Sequence, residues 1–386
     1  MRRKYVLLGS TGSVGRQAVD TAIKMQLEVT ALACGGKSLE LFCKQCKALQ
    51  PKLAAVHDKN ATDGLRELLK GYDIRIVSGD EGVIEAASFA PGGIVLTAMV
   101  GMRGLRPTLA AIEAGSDIAL ANKETLVCAG DLVMKKARER GVKILPVDSE
   151  HSAVFQCIEG RRDELKKIIL TASGGPFFGK TYEEVYGMTS ADALKHPTWE
   201  MGEKITVDCA TLMNKGLEFI EAMRLFDVSP DMIDILIHRE SVIHSMVELR
   251  DNSVIAQLGT PDMRLPIQYA FTYPERAEYI IPALDLAARG SLTFAKPDYD
   301  TFKSLKLAKE VAKWGGSMCT ALNGANEAAV ECFLRDEISF GMIGDTVERV
   351  LEKTDIYPIN SLEDALSCDR ESREAAIEVL SRHGGV

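Results

Sequence analysis

The chain has 386 residues, 46% of them apolar and 26% charged, with a formal net charge of −9 and an isoelectric point near 5.4. That length predicts two or three domains with ample core, and the acidic balance argues against a general nucleic-acid partner while leaving small anionic substrates open. No apolar run approaches the ~20 residues of a membrane span, and no secretory leader pattern is present, so the reading is a protein with no membrane partner. The nine cysteines are scattered, and Cys43 and Cys46 are the only close pair. Without a second pair or histidines at zinc spacing, they read as reduced cytosolic thiols, several of them buried.

The chain opens with an apolar run, residues 4–9, that enters Gly9-Ser10-Thr11-Gly12-Ser13-Val14-Gly15 and then a helical pattern. A strand, a glycine-rich turn and a helix N-terminus make the phosphate cradle of dinucleotide-binding folds. Gly9 and Gly12 let backbone N–H groups reach a pyrophosphate, and Gly15 allows close helix–strand packing; the spacing is GxxGxxG. Strands are expected near 28–33, 53–56, 74–77, 94–98, 117–121 and 142–147, alternating with helices near 14–25, 39–49, 61–70, 80–88, 103–115 and 124–140. The pattern is a doubly wound parallel sheet ending near residue 148. The second strand ends in Gly35-Gly36-Lys37-Ser38 with no carboxylate nearby, which suits the 2′-phosphate of NADP better than the ribose hydroxyl of NAD; a plain loop lysine is the alternative. Asn122-Lys123-Glu124 follows a buried strand at the carboxyl edge of the sheet, where both ligand contact and helix capping are open.

The strand VKILPV runs into Asp148-Ser149-Glu150-His151. In extended backbone, residues i and i+2 face the same way, so Asp148 and Glu150 can converge on a hard cation, Mg²⁺ or Mn²⁺, with Glu218 available as a third oxygen donor. The strand KKIILTA leads to Ser173-Gly174-Gly175-Pro176, a candidate anion nest. Irregular sequence follows to about Glu203; its His196 and Trp199 suit either a lid or a surface loop pinned by the tryptophan. Thr206–Glu221 reads as one helix with Met213, Leu217 and Ile220 on one side and Thr211, Asn214, Lys215 and Glu218 on the other. Strands at 233–237, 241–249 and 253–258 come next, the last two as a hairpin, and 259–266 lines the cleft or merely connects. After an aperiodic linker, helices are expected at 302–314, 318–334, 338–352 and 361–382.

GSTGSVG (9–15), ANKE (121–124), PVDSEHSA (146–153), TASGGPF (171–177), HPTWEMGEKITVD (196–208), ATLMNKGLE (210–218), SVIHSMVE (241–248) and GTPDMRLPI (259–267) together make the whole chain resemble the 1-deoxy-D-xylulose 5-phosphate reductoisomerases. The resemblance implies an α/β chain: a Rossmann-like NADPH-binding domain (1–148), a catalytic α+β domain (149–273) with a mobile lid (174–203), a linker (274–298) and a C-terminal helix bundle (299–386). It implies a cytoplasmic homodimer that converts its phosphorylated sugar to 2-C-methyl-D-erythritol 4-phosphate for isoprenoid synthesis. Carbon–carbon rearrangement, by retro-aldol cleavage or a concerted shift, would precede hydride transfer from NADPH.

Carried over, Asp148, Glu150 and Glu218 bind Mg²⁺ or Mn²⁺, with Co²⁺ a further candidate, and these three act in catalysis with Lys123 and His196. Substrate contacts fall to Lys123, Ser149, Glu150, Ser173, His196, Trp199, Cys209, Asn214, Lys215 and Glu218, with His244 in support. Cofactor contacts fall to Gly9, Ser10, Thr11, Gly12, Ser13, Val14, Gly35, Gly36, Lys37, Ser38, Asn122, Glu124 and Gly202. Two positions depart from the family pattern. Cys209 stands where serine is usual, weakening a donor to phosphate. His238-Arg239-Glu240 stands where His-Pro-Gln is usual, a change expected to leave the chemistry alone. Rival readings are an NADP-dependent dehydrogenase of small amino-acid precursors and a non-catalytic NADP sensor; neither gives Asp148, Glu150 and Glu218 a joint task.

Overall fold

The computed structural model of the chain describes residues 3–195, 199, 201–278 and 280–382. It divides into two compact units, the first built from Met1–Thr125, Val133–Ser152 and Asp262–Pro282. This unit holds β1 (Lys4–Leu8), β2 (Glu28–Cys34), β3 (Leu53–Val56), β4 (Arg75–Ser78), β5 (Ile94–Thr97), β6 (Asp117–Leu120) and β7 (Ile144–Pro146). All pair in parallel, in the order β4-β3-β2-β1-β5-β6-β7. Helices cover both faces of such a sheet, so its inner strands carry unbroken apolar runs: Val6, Leu7, Leu8, Ala54, Val95 and Ala119 are fully buried. The strand order reverses beside β1, and the crevice at that reversal is where a doubly wound sheet receives a ligand. The expected alternation of strands and helices is present.

A helix of this unit lies where the sequence reading placed none. Arg264–Thr272 lies where two prolines suggest a connection, yet Pro266 occupies its first turn, where no backbone donor is needed. The helix returns to the sheet through Tyr5, whose hydroxyl donates to the Phe271 carbonyl at 3.0 Å and whose ring meets the Phe271 ring edge-on at 5.3 Å.

The second unit comprises Leu126–Leu132, Ala153–Pro261 and Ala283–Val386. Its sheet contains β8 (Leu165–Ala172), β9 (Ile233–Ile237), β10 (Ile243–Leu249) and β11 (Val254–Leu258) in the order β11-β10-β8-β9. β8 and β9 run parallel, and β10 is antiparallel to both β8 and β11. The C-terminal helices are Lys303–Trp314, Ser317–Leu334, Phe340–Leu351 and Leu362–Arg382. Ser317–Leu334 is buried nearly all round, as expected of a central helix. A Cβ on its Gly324 would lie 3.0 Å from the Asp369 carbonyl, so the glycine sets how closely Leu362–Arg382 packs.

A buried polar network ties this helical layer to Glu203–Ala210. Asp208, 1% exposed, pairs with Lys204 at 2.9 Å and accepts from the Asn326 amide at 2.8 Å. Among the described residues of 177–203, irregular in the sequence reading, are two short helices, Tyr182–Tyr186 and Ser190–Ala193, each with a reciprocal capping box. Tyr186 and Ser190 anchor them to Asp345 and Asp336. Among the described residues no helix is long and apolar enough to cross a membrane.

Candidate active site

The glycine turn of the first unit follows β1 at the reversal of strand order. Gly9 and Ser10 both donate to the Ala33 carbonyl (2.9 and 3.0 Å), and Gly12 donates to Gly9 (3.0 Å), which curls the turn tightly. A Cβ on Gly15 would sit 2.1 Å from the Gly9 carbonyl oxygen, so only glycine lets the Ser13–Lys24 helix start this close to the turn. Gly12 caps that helix without a side-chain acceptor, leaving its first-turn N–H groups, near Thr11, Ser13 and Val14, for an anion. The buried Ser10 exchanges two 2.8 Å hydrogen bonds with Gln45 and so braces the turn from behind.

Gly35 to Ser38 follow β2, with Gly36 at φ +110° and the Lys37 and Ser38 side chains exposed. The thiols beside this loop are core: burial pushes those of Cys34 and Cys46 up to about 12, so they stay protonated. With the thiols buried, the groups this turn presents are its backbone donors and the exposed Lys37 side chain.

At the ends of β6 and β7 two candidates meet. Lys123 Nζ lies 2.6 Å from Asp148 Oδ2, with the side chains only 8% and 13% exposed. Asn122 is buried; its amide donates to the Gly101 carbonyl at 3.1 Å and to the Glu124 carboxylate at 2.8 Å, so the segment is internally braced. The extended geometry expected for 148–150 is not found. The chain turns helical at Ser149, and Ser152 N–H donates to the Asp148 carbonyl at 2.8 Å, so Asp148 precedes the helix and Glu150 lies in its first turn. Acidic residues are favoured at a helix start, which explains the departure from strand geometry. The Ser149 hydroxyl donates to Glu150.

In the second unit β8 ends in the anion turn. Gly174 and Gly175 both take left-handed backbone (φ +77° and +66°), and Gly175 N–H reaches the Ser173 hydroxyl at 3.3 Å. A Cβ on Gly175 would lie 2.5 Å from the Cys209 carbonyl oxygen, so the turn rests directly on the end of the Glu203–Ala210 helix.

The single helix expected over 206–221 is two. It breaks at Thr211–Leu212, where buried Leu212 adopts φ +58°, and restarts as Met213–Phe226. A left-handed leucine is strained by ~1 kcal/mol or more, a cost usually met where function needs the geometry. The break gives Asn214 and Lys215 places in the first turn of a fresh helix, whose orphan N–H groups and dipole favour an anion. A Cβ on Gly216 would lie 2.4 Å from the Ala308 Cβ, so this helix packs against Lys303–Trp314 at near contact.

The polar face does not point at water. Lys215 and Glu218 are 3% and 1% exposed. Glu218 is paired with Lys215 and accepts from the Asn214 amide at 2.6 Å. Burying an ion pair is costly and rarely serves stability alone, which makes this face a candidate site.

His196 lies outside the described residues. Trp199 is half-buried, its ring 6.5 Å from the His244 ring. His244 is 4% exposed, and burial pushes its imidazole down to about 4, against a weaker upward pull from the Thr260 backbone; it is neutral at physiological pH. Gly202 caps Glu203–Ala210 and receives the Thr206 hydroxyl at 2.9 Å.

Comparison with known proteins bears on these features together. The profile described as 1-deoxy-D-xylulose 5-phosphate reductoisomerase matches residues 5–130, and two profiles for C-terminal domains of that enzyme match 144–226 and 258–375. The 1-deoxy-D-xylulose 5-phosphate reductoisomerase of Geobacillus sp. (strain WCH70) is 50% identical over 382 residues, 98% of this chain and 100% of that protein. The chain belongs to the 1-deoxy-D-xylulose 5-phosphate reductoisomerase family. The family enzyme of Lachnospira eligens is 49% identical over 94% of this chain and 96% of its own length. The family enzyme from Zymomonas mobilis, solved in complex with NADPH, superposes with a TM-score of 0.92 at 40% identity, covering 98% of this chain and 99% of that one. A DOX-P reductoisomerase in complex with NADPH, fosmidomycin and magnesium gives 0.93 at 39% identity over 99% and 100% of the two chains.

Against the family pattern, Cys209 and Arg239 both border the Ser173–Gly175 turn, the first through its carbonyl and the second through its guanidinium. Arg239 and the Asp208–Asn326 pair were not recognised from the sequence. Their partners lie 64 and 118 residues away, and no local spacing signals either contact.

Proposed function

We propose that this chain converts 1-deoxy-D-xylulose 5-phosphate to 2-C-methyl-D-erythritol 4-phosphate with NADPH and a divalent cation, in isoprenoid synthesis. The observation that carries the reading is the Asn214–Lys215–Glu218 face at a helix start, with Lys215 and Glu218 buried and the half-buried Asn214 bonded to Glu218: an ammonium, an amide and a carboxylate withdrawn from bulk water can receive an anion and a cation together. The glycine cradle after β1 fits a pyrophosphate, since a Cβ at Gly15 would fill it. Asp148, Glu150 and Glu218 form an all-carboxylate donor set, which fits Mg²⁺ or Mn²⁺ better than zinc, and we propose that they share one ion. When bound, the cation supplies Lewis-acid polarisation of the ketone and NADPH supplies hydride.

The residues divide the remaining work. Lys215 and Asn214 bind the phosphate with the N–H groups of their helix start and the Ser173 turn, which anchors the substrate away from its reacting carbons. Lys123 Nζ, beside Asp148, can donate to a substrate oxygen where negative charge gathers, and Ser149 orients a neighbouring hydroxyl. Trp199 and His196 belong to the segment that closes over the sugar and excludes water. His244, neutral, adds bulk without charge beside Trp199. The reading includes a cytoplasmic homodimer, as the family resemblance implies; light scattering on the eluting enzyme checks the dimer.

The test is NADPH oxidation followed optically with 1-deoxy-D-xylulose 5-phosphate. Turnover with Mg²⁺ or Mn²⁺ that stops on adding chelator and returns with excess metal is expected. Metal-independent turnover, or none with either metal, overturns the reading.

A further inference from the structure

The anion turn is held from behind by a residue with no assigned role. Arg239 Nη1 donates to the Gly175 carbonyl at 2.7 Å and approaches the Ser173 carbonyl at 3.3 Å, while the guanidinium lies 5.1 Å over the Phe178 ring. The Gly175 carbonyl belongs to the peptide before Pro176, which has no N–H to pair. The Ser173 carbonyl shares a trans peptide with the Gly174 N–H, so drawing that carbonyl towards Arg239 aims the N–H to the opposite side of the turn.

Arg239 is itself rigidly placed. The preceding His238 is fully buried and stacked on Phe294 at 5.0 Å. Its Nε2 accepts from the Val242 and Ile243 N–H groups at 3.2 and 3.1 Å, which leaves the proton on Nδ1, 2.9 Å from the Thr293 carbonyl. On the other side Glu240 accepts from the Thr293 hydroxyl at 2.7 Å. A guanidinium fixed between two anchored neighbours serves as a clamp where a free side chain would not.

We propose that Arg239 is a positioning residue for substrate phosphate: it sets the peptide orientation of the Ser173–Gly175 turn and lends it a fixed positive charge. This rests on the proposed function in taking that turn as part of the phosphate site. The left-handed glycines give the turn its shape but no rigidity, since glycine visits many conformations at little cost; the clamp supplies the rigidity. It also brings positive charge to a turn that rests on the Cys209 backbone, a position whose thiol is a weaker donor than a hydroxyl.

The experiment compares Arg239→Leu and Arg239→Lys with the unaltered enzyme. It measures KM for the sugar phosphate, KM for NADPH and kcat, with calorimetric binding of inorganic phosphate as a readout independent of turnover. Arg239→Leu is expected to raise the sugar-phosphate KM and weaken phosphate binding together by about tenfold, the size of one charge-assisted hydrogen bond, with NADPH KM and kcat little changed. Arg239→Lys, keeping the charge but not the fork, is expected to fall between. A folded Arg239→Leu enzyme with unchanged phosphate binding overturns the proposal, as does a parallel rise in both KM values. Absence of turnover in the unaltered enzyme would count against the proposed function instead, and the phosphate titration would still decide the role of Arg239.

Discussion

Replacing His244 with phenylalanine should change how stability depends on pH. The imidazole is 4% exposed, and burial holds it down at about 4 against an ordinary 6.5. Above pH 6.5 both folded and unfolded chains carry it neutral, so it adds no pH dependence there. As the pH falls the unfolded chain takes up a proton first, and the folded chain does not follow until about pH 4. Stability is therefore lost through that window, by ~2 kcal/mol at pH 5 and approaching ~3 kcal/mol at pH 4. His244→Phe removes this component, and it also removes a buried Nε2 that has no hydrogen-bond partner among the described residues. Both tryptophans, Trp199 and Trp314, lie in the second unit with His244, so intrinsic fluorescence during urea unfolding reports the relevant transition. Between pH 7 and pH 5 the unaltered protein should lose ~2 kcal/mol more than the variant. Equal losses in the two proteins would refute the reasoning.

Three other changes have definite expected outcomes. Glu218→Gln should reduce metal-dependent turnover at least a thousandfold while NADPH still binds by fluorescence titration; near-normal turnover would remove Glu218 from the metal set (order of magnitude from loss of ~4 kcal/mol of transition-state stabilisation). Lys215→Met should leave the Glu218 carboxylate buried without its ammonium, lowering stability by ~3 kcal/mol and raising the sugar-phosphate KM far more than the NADPH KM; thermal melts and steady-state kinetics check both. Gly15→Ala forces the turn and its helix apart, which should cost ~1–3 kcal/mol of stability and weaken NADPH at least tenfold; inorganic phosphate binding in the second unit should be unaffected.

Much of the fold was legible in the sequence because its strongest signals are local. Buried parallel strands such as Val6–Leu8 and Ile94–Leu96 read as unbroken apolar runs, and the Gly9–Gly15 turn announces its own geometry. The errors arise where tertiary context overrides a local pattern. Nothing near Leu212 predicts left-handed backbone, because leucine disfavours it; packing imposes the break, and helical periodicity runs through it undisturbed. Asp148 to Glu150 reads as an extended strand end, whereas an N-terminal helical turn satisfies the same residues. The polar face of Asn214, Lys215 and Glu218 is identical in sequence whether it meets water or a ligand, and only its burial distinguishes the two. The contact of Arg239 with Gly175 is likewise invisible until β8 and the loop after β9 are folded together.

A reductoisomerase both rearranges the carbon skeleton of its substrate and reduces it. The most direct measurement is ¹³C NMR of the product formed from isotopically labelled 1-deoxy-D-xylulose 5-phosphate with NADPH and Mg²⁺. From substrate labelled at its ketone carbon, a branched product carrying the label on its tertiary alcohol carbon, formed one-for-one with NADPH consumed, is predicted. A linear reduced sugar phosphate, or NADPH consumption without skeletal change, would contradict it.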